Sequence, residues 1–211
     1  MLLLELFSGT GSVRRAFERR GWAVHSLDVD PRAPDVTFCC DILELEPDDF
    51  PYDHVHASPP CVHYSRARTT AATPRDLEGS DRLVQRALDI IAFYRNKNPN
   101  LTWTLENPQS GLLPARAVVA GLPFADADYC CYDSEKGYRK RTRIWGNLIW
   151  QARKCPGAGR CPAMEGTRHR SVAQRGGGWR LEELYAIPDA LCDSLALAAS
   201  LRSNAVNVDE G

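Results

Sequence analysis

Apolar residues in this chain come in short runs, and each run stops on glycine, proline or an acidic residue. Residues 2–7 form the first run and stop at Ser8-Gly9-Thr10-Gly11. Residues 12–20 follow with Val13, Ala16 and Phe17 at helical spacing, and Gly21 stands where it can close that helix. Residues 23–27 predict a second strand ending at Asp28, and residues 36–40 a third ending at Asp41. His54–Ala57 predicts a fourth, ending at Ser58-Pro59-Pro60. Residues 81–94 predict an amphipathic helix with Leu83, Leu88, Ile91 and Phe93 among its apolar positions. Residues 101–105 predict a fifth strand, ending at Glu106-Asn107-Pro108. Strands that alternate with helices predict an α/β fold with a mostly parallel sheet and helices on both faces. Ligands bind such sheets at the carboxyl ends of the strands. The polar stops are therefore expected to converge on one crevice.

Beyond residue 150 the periodicity fades. Residues 151–178 are rich in Gly, Arg and Cys and read as an inserted loop or small subdomain. Residues 187–201 return to a helical pattern, with Pro188 near the first turn. The expected division is 1–149 for the main domain, 150–185 for a small basic insertion, and 186–211 for a helix packing back.

Composition changes this picture in three places. The net charge of −1 hides a segregation: residues 139–180 hold eleven of the 26 Lys and Arg against one acid, Glu165. Such a stretch fits either a face that meets a polyanion or a solvated basic loop. No apolar run looks long enough to span a bilayer, and the apolar start is too short for a secretion signal, so an intracellular setting is expected. Eight cysteines without a secretion signal point to reduced thiols, a metal site or a catalytic thiolate rather than a disulfide framework. Cys39, Cys40 and Cys192 lie in apolar patterns and read as core fillers.

The stops also carry chemistry. The turn from Phe7 through Gly11 follows a strand and opens a helix, where glycine lets the backbone approach a ligand. Asp28 closes the next strand, where a carboxylate can accept ribose hydroxyls. With Asp41 at the following strand end, a nucleoside-bearing cofactor is expected, and the missing third glycine removes the need for a pyrophosphate. Ser58-Pro59-Pro60-Cys61 presents a thiol on a rigid turn, which reads either as a buried structural cysteine or as a nucleophile activated by a positive field. Glu106 can act as an acid or hydrogen-bonding group on a heterocycle if burial raises its pKa. Strand alternation puts Arg141 and Arg143 on one face, suited to phosphate or carbonyl recognition, or to guarding an edge strand.

Taken in order, these pieces resemble the cytosine-5 DNA methyltransferase family. Leu6-Phe7-Ser8-Gly9-Thr10-Gly11 resembles its cofactor loop, Asp28 with Val29 its ribose-side acid, and Asp41-Ile42 the pair beside the adenine. Pro59-Pro60-Cys61 with Ser65 resembles the nucleophile motif, Glu106-Asn107 the motif that grips the base, and Arg141-Thr142-Arg143 the spaced arginine pair. The resemblance covers about residues 1–150 and the last helix, and is tighter to compact phage and viral members through Tyr138 to Trp145. It implies a Rossmann-like S-adenosylmethionine-dependent fold and DNA as the partner. Phe7, Ser8, Gly9, Gly11, Asp28, Val29, Asp41, Ile42 and Pro60 would bind the cofactor. Cys61 would attack carbon 6 of a flipped cytosine, Glu106 would hold the ring, Asn107 would orient the loop, and Arg141 and Arg143 would hold the base carbonyl or a phosphate. A viral member would act inside an infected cell.

Departures are Val62 and Arg139, where the family usually has Gln, and the lack of a full target-recognition domain, which leaves only residues 150–185 as a reduced one. Asn204-Ala205-Val206 is similar to a C-terminal family motif but lacks its glycine and reads as coincidence.

Cys155, Cys161 and His169 form a possible structural zinc set, with Cys130 or Cys131 as fourth ligand; otherwise they are unrelated loop residues. Other functions stay open: an RNA cytosine-5 methyltransferase, a catalytically silent nucleic-acid- or partner-binding homologue, and an unrelated nicotinamide enzyme. Oligomeric state and target sequence are not legible.

Overall fold

The computed structural model describes residues 1–69, 71–174 and 178–208, excepting the side chains of 203–208. The alternating runs become one seven-stranded sheet. Its strands are β1 (Leu2–Leu6), β2 (Ala23–Asp28), β3 (Phe38–Cys39), β4 (His54–Ala57), β5 (Thr102–Pro108), β6 (Phe124–Asp128) and β7 (Arg141–Gly146). The order is β3-β2-β1-β4-β5-β7-β6. The first five strands pair in parallel, and β7 runs antiparallel to both β5 and β6. Strand order reverses between β1 and β4, so the connections leaving these two strands diverge and open a crevice at their carboxyl ends. The fold is the expected mixed α/β type, mostly parallel and Rossmann-like.

Each face of the sheet buries a separate core. On one face Leu4, Leu6, Val55, Ala57, Trp103, Leu105 and Trp145 pack with helix α2 (Leu77–Lys97). The buried apolar stripe of α2 is Val84, Ala87, Ile90, Ile91 and Tyr94, flanked by half-buried Leu83, Leu88 and Phe93. This helix begins earlier than its apolar pattern predicts because Asp76 caps it, accepting the Gly79 amide at 2.7 Å. On the other face Leu3, Ala127 and Ile144 meet α1 (Ser12–Glu18) and α4 (Asp189–Val208). Gly21 ends the α1 region in the left-handed conformation at φ 75°.

The stretch Leu181–Arg202 is long and apolar enough by composition to cross a membrane, with mean hydropathy 1.3. It is not one helix: Pro188 separates α3 (Leu181–Tyr185) from α4, whose Leu191, Cys192, Leu195 and Ala199 are core residues. Its apolarity is that of a core helix. Residues 204–206 fall inside α4 rather than beyond the last helix.

A polar ladder crosses the α1 side of the sheet. His54 contacts Thr102 at 2.7 Å and Thr104 at 3.0 Å; His56 contacts Thr104 and Ser58 at 2.8 Å each. Burial pushes His54 well down and His56 down to about 4, so both rings stay neutral. The ladder ends at Ser58, where the Pro59-Pro60-Cys61 turn begins.

Several elements escape the apolar pattern: β6, α3, single 3-10 turns at Leu113–Ala115, Ala117–Val119 and Tyr129–Cys131, and a hairpin of β8 (Met164–Glu165) and β9 (Arg168–His169). All eight cysteines are free thiols. Cys192 fills the core and Cys40 is half-buried, but Cys39 is exposed. It ends the two-residue edge strand β3, which has a partner strand on one side only.

Gly146 lies at φ 153°, and a Cβ there would stand 2.1 Å from the Trp103 carbonyl oxygen. Gly146→Ala should therefore lower stability by roughly 2 kcal/mol or more, by forcing β7 away from β5. Urea unfolding measures this.

Candidate active site

The first polar stop is built from left-handed backbone. Phe7, Gly9 and Gly11 have φ of 61°, 49° and 68°. A non-glycine residue at positive φ is uncommon and marks a constrained turn. A Cβ on Gly11 would meet Pro34 Cγ at 3.3 Å, so the glycine is needed for space as well as for conformation. Asp28 pins this loop: one carboxylate oxygen accepts the Gly9 amide at 2.7 Å and the other accepts the Asp30 amide at 2.9 Å. Ser8 Oγ is buried without a hydrogen-bond partner among the described residues. Beside the loop Val29 is 69% exposed. Asp41 is exposed and accepts the Leu43 amide, whereas Ile42 is core.

The second stop carries the thiol. β4 and β5 are parallel neighbours, with Ala57 opposite Leu105, so the Cys61 turn and Glu106 leave adjacent strands at the same end. Asn107 ties them together: its Nδ2 donates to the Pro59 carbonyl at 2.8 Å. The turn is braced behind by Tyr64, whose hydroxyl donates to Asp81 at 2.7 Å and whose carbonyl accepts the Leu112 amide at 2.9 Å. Pro60 is exposed and Cys61 half-buried.

Glu106 is 7% exposed. Its Oε1 accepts from the Thr142 hydroxyl and from the Tyr129 hydroxyl, the latter at 3.4 Å. Burial raises its pKa above the usual carboxylate range, while Lys140, Thr142 and Tyr129 oppose the rise. Burial also pushes the Cys61 thiol up; Lys140 pulls it down and Glu106 pushes it further up. Lys140 thus acts on both groups. Its Nζ donates to the Leu184 carbonyl at 2.7 Å and lies 4.9 Å from the centre of the Tyr129 ring. Sequence reading passed over Lys140 in favour of its arginine neighbours. The signal was there: residues 140, 142 and 144 alternate onto the Glu106 face.

Arg141 and Arg143 share a face, as alternation predicts, but it is the face opposite Glu106. Each is held bidentately by an aspartate of β6, Arg141 by Asp128 at 2.9 and 2.7 Å, Arg143 by Asp126 at 2.7 and 2.9 Å. Both guanidinium groups are thus paired with aspartates of the neighbouring strand.

A second cluster lies beyond Asp128. Cys130, Cys155, Cys161 and His169 place their ligand atoms within 4.8 Å of one another. Cys130 rather than Cys131 joins the three residues expected from sequence. His169 Nε2 lies 3.6 Å from Cys155 Sγ and 3.7 Å from Cys161 Sγ. A cavity of about 330 Å³ lies elsewhere, around Pro123, Phe124 and Trp150. No titratable side chain lines it, so it is not the reaction site.

No protein-family model matches the chain. A "Probable DNA (cytosine-5)-methyltransferase" of frog virus 3 (isolate Goorha) is 33% identical over 219 aligned positions, which cover 90% of this chain and 96% of that protein. The chain belongs to the DNA (cytosine-5)-methyltransferase family. Among solved structures, a DNA modification methyltransferase encoded within an E. coli prophage matches with TM-score 0.48 and 16% identity, over 69% of this chain. The Entamoeba histolytica methyltransferase EhMeth matches with TM-score 0.46 and 16% identity, over 74%. The chain spans 46% and 55% of those two structures, about half their length.

The first strand carries a buried acid. Glu5 is buried under the glycine loop, and burial raises its pKa to about 8 from an ordinary 4.5, against the Arg14 amide and guanidinium that lower it. The folded state then holds a proton that the unfolded chain releases. Stability should fall as pH rises from about 4.5 to about 8, by at most about 1.4 kcal/mol per pH unit. Glu5→Gln should flatten that slope, read by urea unfolding at pH 5 and pH 8.

Proposed function

We propose that this chain transfers a methyl group from S-adenosylmethionine to carbon 5 of a cytosine in DNA, with Cys61 as nucleophile. The observation that carries this reading is the Asn107 bond to the Pro59 carbonyl, which holds the thiol turn beside a buried carboxyl group at adjoining strand ends.

The cofactor fits the first polar stop. The left-handed turn at Phe7, Gly9 and Gly11 lets a ligand approach the backbone closely, the buried Ser8 hydroxyl has no partner among the described residues, and exposed Val29 offers an apolar surface for a purine. Asp28 would act chiefly by shaping the loop, since both its oxygens hold backbone amides. Asp41, the backbone of Ile42, and Pro60 would complete the contact. When bound, the cofactor supplies an electrophilic methyl group on a sulfonium.

Cytosine carbon 5 is a poor nucleophile until carbon 6 is attacked. The Cys61 thiolate forms the sulfur–carbon 6 bond, and the electron pair of the 5,6 double bond moves toward carbon 5 and the ring nitrogen. Glu106, whose pKa burial raises, would donate to that nitrogen in its protonated form and limit the charge built there. Carbon 5 would take the methyl group as the sulfonium carbon–sulfur bond breaks, the electron pair staying on sulfur as a neutral thioether; a base or water then removes the carbon 5 proton, the ring-nitrogen proton returns to Glu106, and the 5,6 double bond reforms as Cys61 leaves as thiolate. Lys140 favours the thiolate before attack. Arg141 and Arg143 would serve by fixing β6 to β7, or by meeting phosphate after release from their aspartates.

The basic segment 150–185 would be a reduced target-recognition region facing DNA. Its Cys155, Cys161 and His169 would hold a structural zinc together with Cys130 of the preceding 3-10 turn. Four ligands at about 2.0–2.3 Å from a tetrahedral zinc lie about 3.5 Å apart. The sulfur–nitrogen distances of 3.6 and 3.7 Å from His169 to Cys155 and Cys161 match that spacing. One imidazole nitrogen has a single lone pair and cannot satisfy two thiols by hydrogen bonding. Neighbouring Ala163 is the cluster's further buried packing partner, a core too small to order the segment unaided.

Incubation with the cofactor and duplex DNA, followed by nucleoside mass spectrometry, should give 5-methyldeoxycytidine. Cys61→Ala should abolish it while cofactor binding stays intact, and Glu106→Gln should slow it by roughly 10²-fold. Product on RNA alone would refute DNA as the substrate, and unchanged product from Cys61→Ala would refute the nucleophile.

A further inference from the structure

The thiol–imidazole cluster and the buried carboxyl group are two turns of one structure. Cys130 follows Tyr129 within the 3-10 turn Tyr129–Cys131. Tyr129 is 1% exposed, and its hydroxyl donates to Glu106. Its amide donates to the Lys140 carbonyl at 3.0 Å, so the same residue also sets the start of β7. A second link starts at Cys155, whose amide donates to Asp128 at 2.8 Å. Asp128 is fully buried and grips Arg141, the residue before Thr142, the other donor to Glu106. Both hydroxyls on Glu106 therefore stand one residue from a group fixed by the cluster.

The cluster itself draws on distant chain segments. Cys161 is set by a turn closing on Gly157, His169 arrives on the β8–β9 hairpin, and the hairpin is tied back where the Arg170 guanidinium donates to the Ser134 carbonyl. Without a cation, three neighbouring thiols have no strong reason to converge on one imidazole. With one, the 130–131 turn and residue 155 are fixed together.

We propose that zinc bound by Cys130, Cys155, Cys161 and His169 sets the catalytic carboxyl group, by locking Tyr129 and Asp128 and through them the two hydroxyl donors to Glu106. Metal loading then controls the methyl-transfer step as well as the order of the insertion. This rests on the zinc and Glu106 readings above, and makes Tyr129 a positioning residue.

The test combines metal analysis, hydrogen exchange and kinetics on the full chain. Purified protein should carry one zinc, and cobalt in its place should show the visible bands of a tetrahedral thiolate site. Removing metal with a chelator should raise amide exchange by about tenfold or more at residues 128–131 and 141–143, leaving β1 and β2 unchanged. Cys161→Ser should lose the metal and about tenfold in kcat with unchanged cofactor affinity. Tyr129→Phe should keep the metal and lose kcat but not KM, and the double variant should be no slower than Cys161→Ser alone. His169→Ala gives a second route to the metal-free state should Cys161→Ser not fold.

A chain that binds no metal overturns the zinc reading and the inference together. A chain that binds zinc but shows unchanged exchange at residues 128–131 and 141–143 overturns the inference alone, as do kinetic losses that multiply in the double variant. If the loaded protein methylates nothing, the proposed reaction fails, while exchange still decides whether the metal orders the Glu106 partners.

Discussion

A carboxyl group buried at the end of β5 sets the terms for the rest of this structure. A charged Glu106 with no partners would be costly in that position, and a neutral one still needs its oxygens occupied. Thr142 and Tyr129 supply the hydrogen bonds and Lys140 supplies positive charge, all from chain after residue 128. That requirement explains why β7 is inserted antiparallel beside β5: its register puts Thr142 on the Glu106 face and sends Arg141 and Arg143 to the other. The two aspartates of β6 then become necessary to hold those arginines. Asn107 faces away from Glu106 and fastens the neighbouring thiol turn. One buried acid and its alternating neighbours thus fix the geometry of the Cys61 turn and the edge of the sheet.

The opposite end of the crevice follows a different logic. There a left-handed backbone turn sets the shape, and a side chain holds it. Asp28 spends both oxygens on amides, and the glycines remove Cβ atoms that would crowd the loop. The His54, Thr104, His56 and Ser58 ladder runs beneath the sheet between the two ends. Its rings are neutral, so it adds rigidity to β4 and β5 without adding charge next to the thiol.

Much of this was legible in the sequence because parallel strands are buried on both faces and stop on visible polar residues. His54–Ala57 was located to the residue, and the helix face of Val13, Ala16 and Phe17 was read directly from its spacing. What escaped depended on partners remote in the chain. β6 reads Phe-Ala-Asp-Ala-Asp, with too little apolar content to predict a strand, and makes sense only against the arginines of β7. The choice between Cys130 and Cys131 is settled by a 3-10 turn that adjacent cysteines do not announce. The β8–β9 hairpin has two residues per strand, below any periodicity, and follows from the cluster that His169 joins. Lys140 was hidden among arginines that alternation assigns to the other face.

The central claim is that Cys61 attacks a cytosine in DNA, and a duplex carrying 5-fluorocytosine tests it most directly. After methyl transfer, fluorine at carbon 5 cannot leave as the proton does, so the sulfur–carbon 6 bond should persist. The account predicts a cofactor-dependent protein–DNA adduct that survives denaturation, with peptide mapping placing the DNA on Cys61. An adduct on another residue, or methylation of ordinary cytosine with no trapped adduct on the fluorinated duplex, would contradict it.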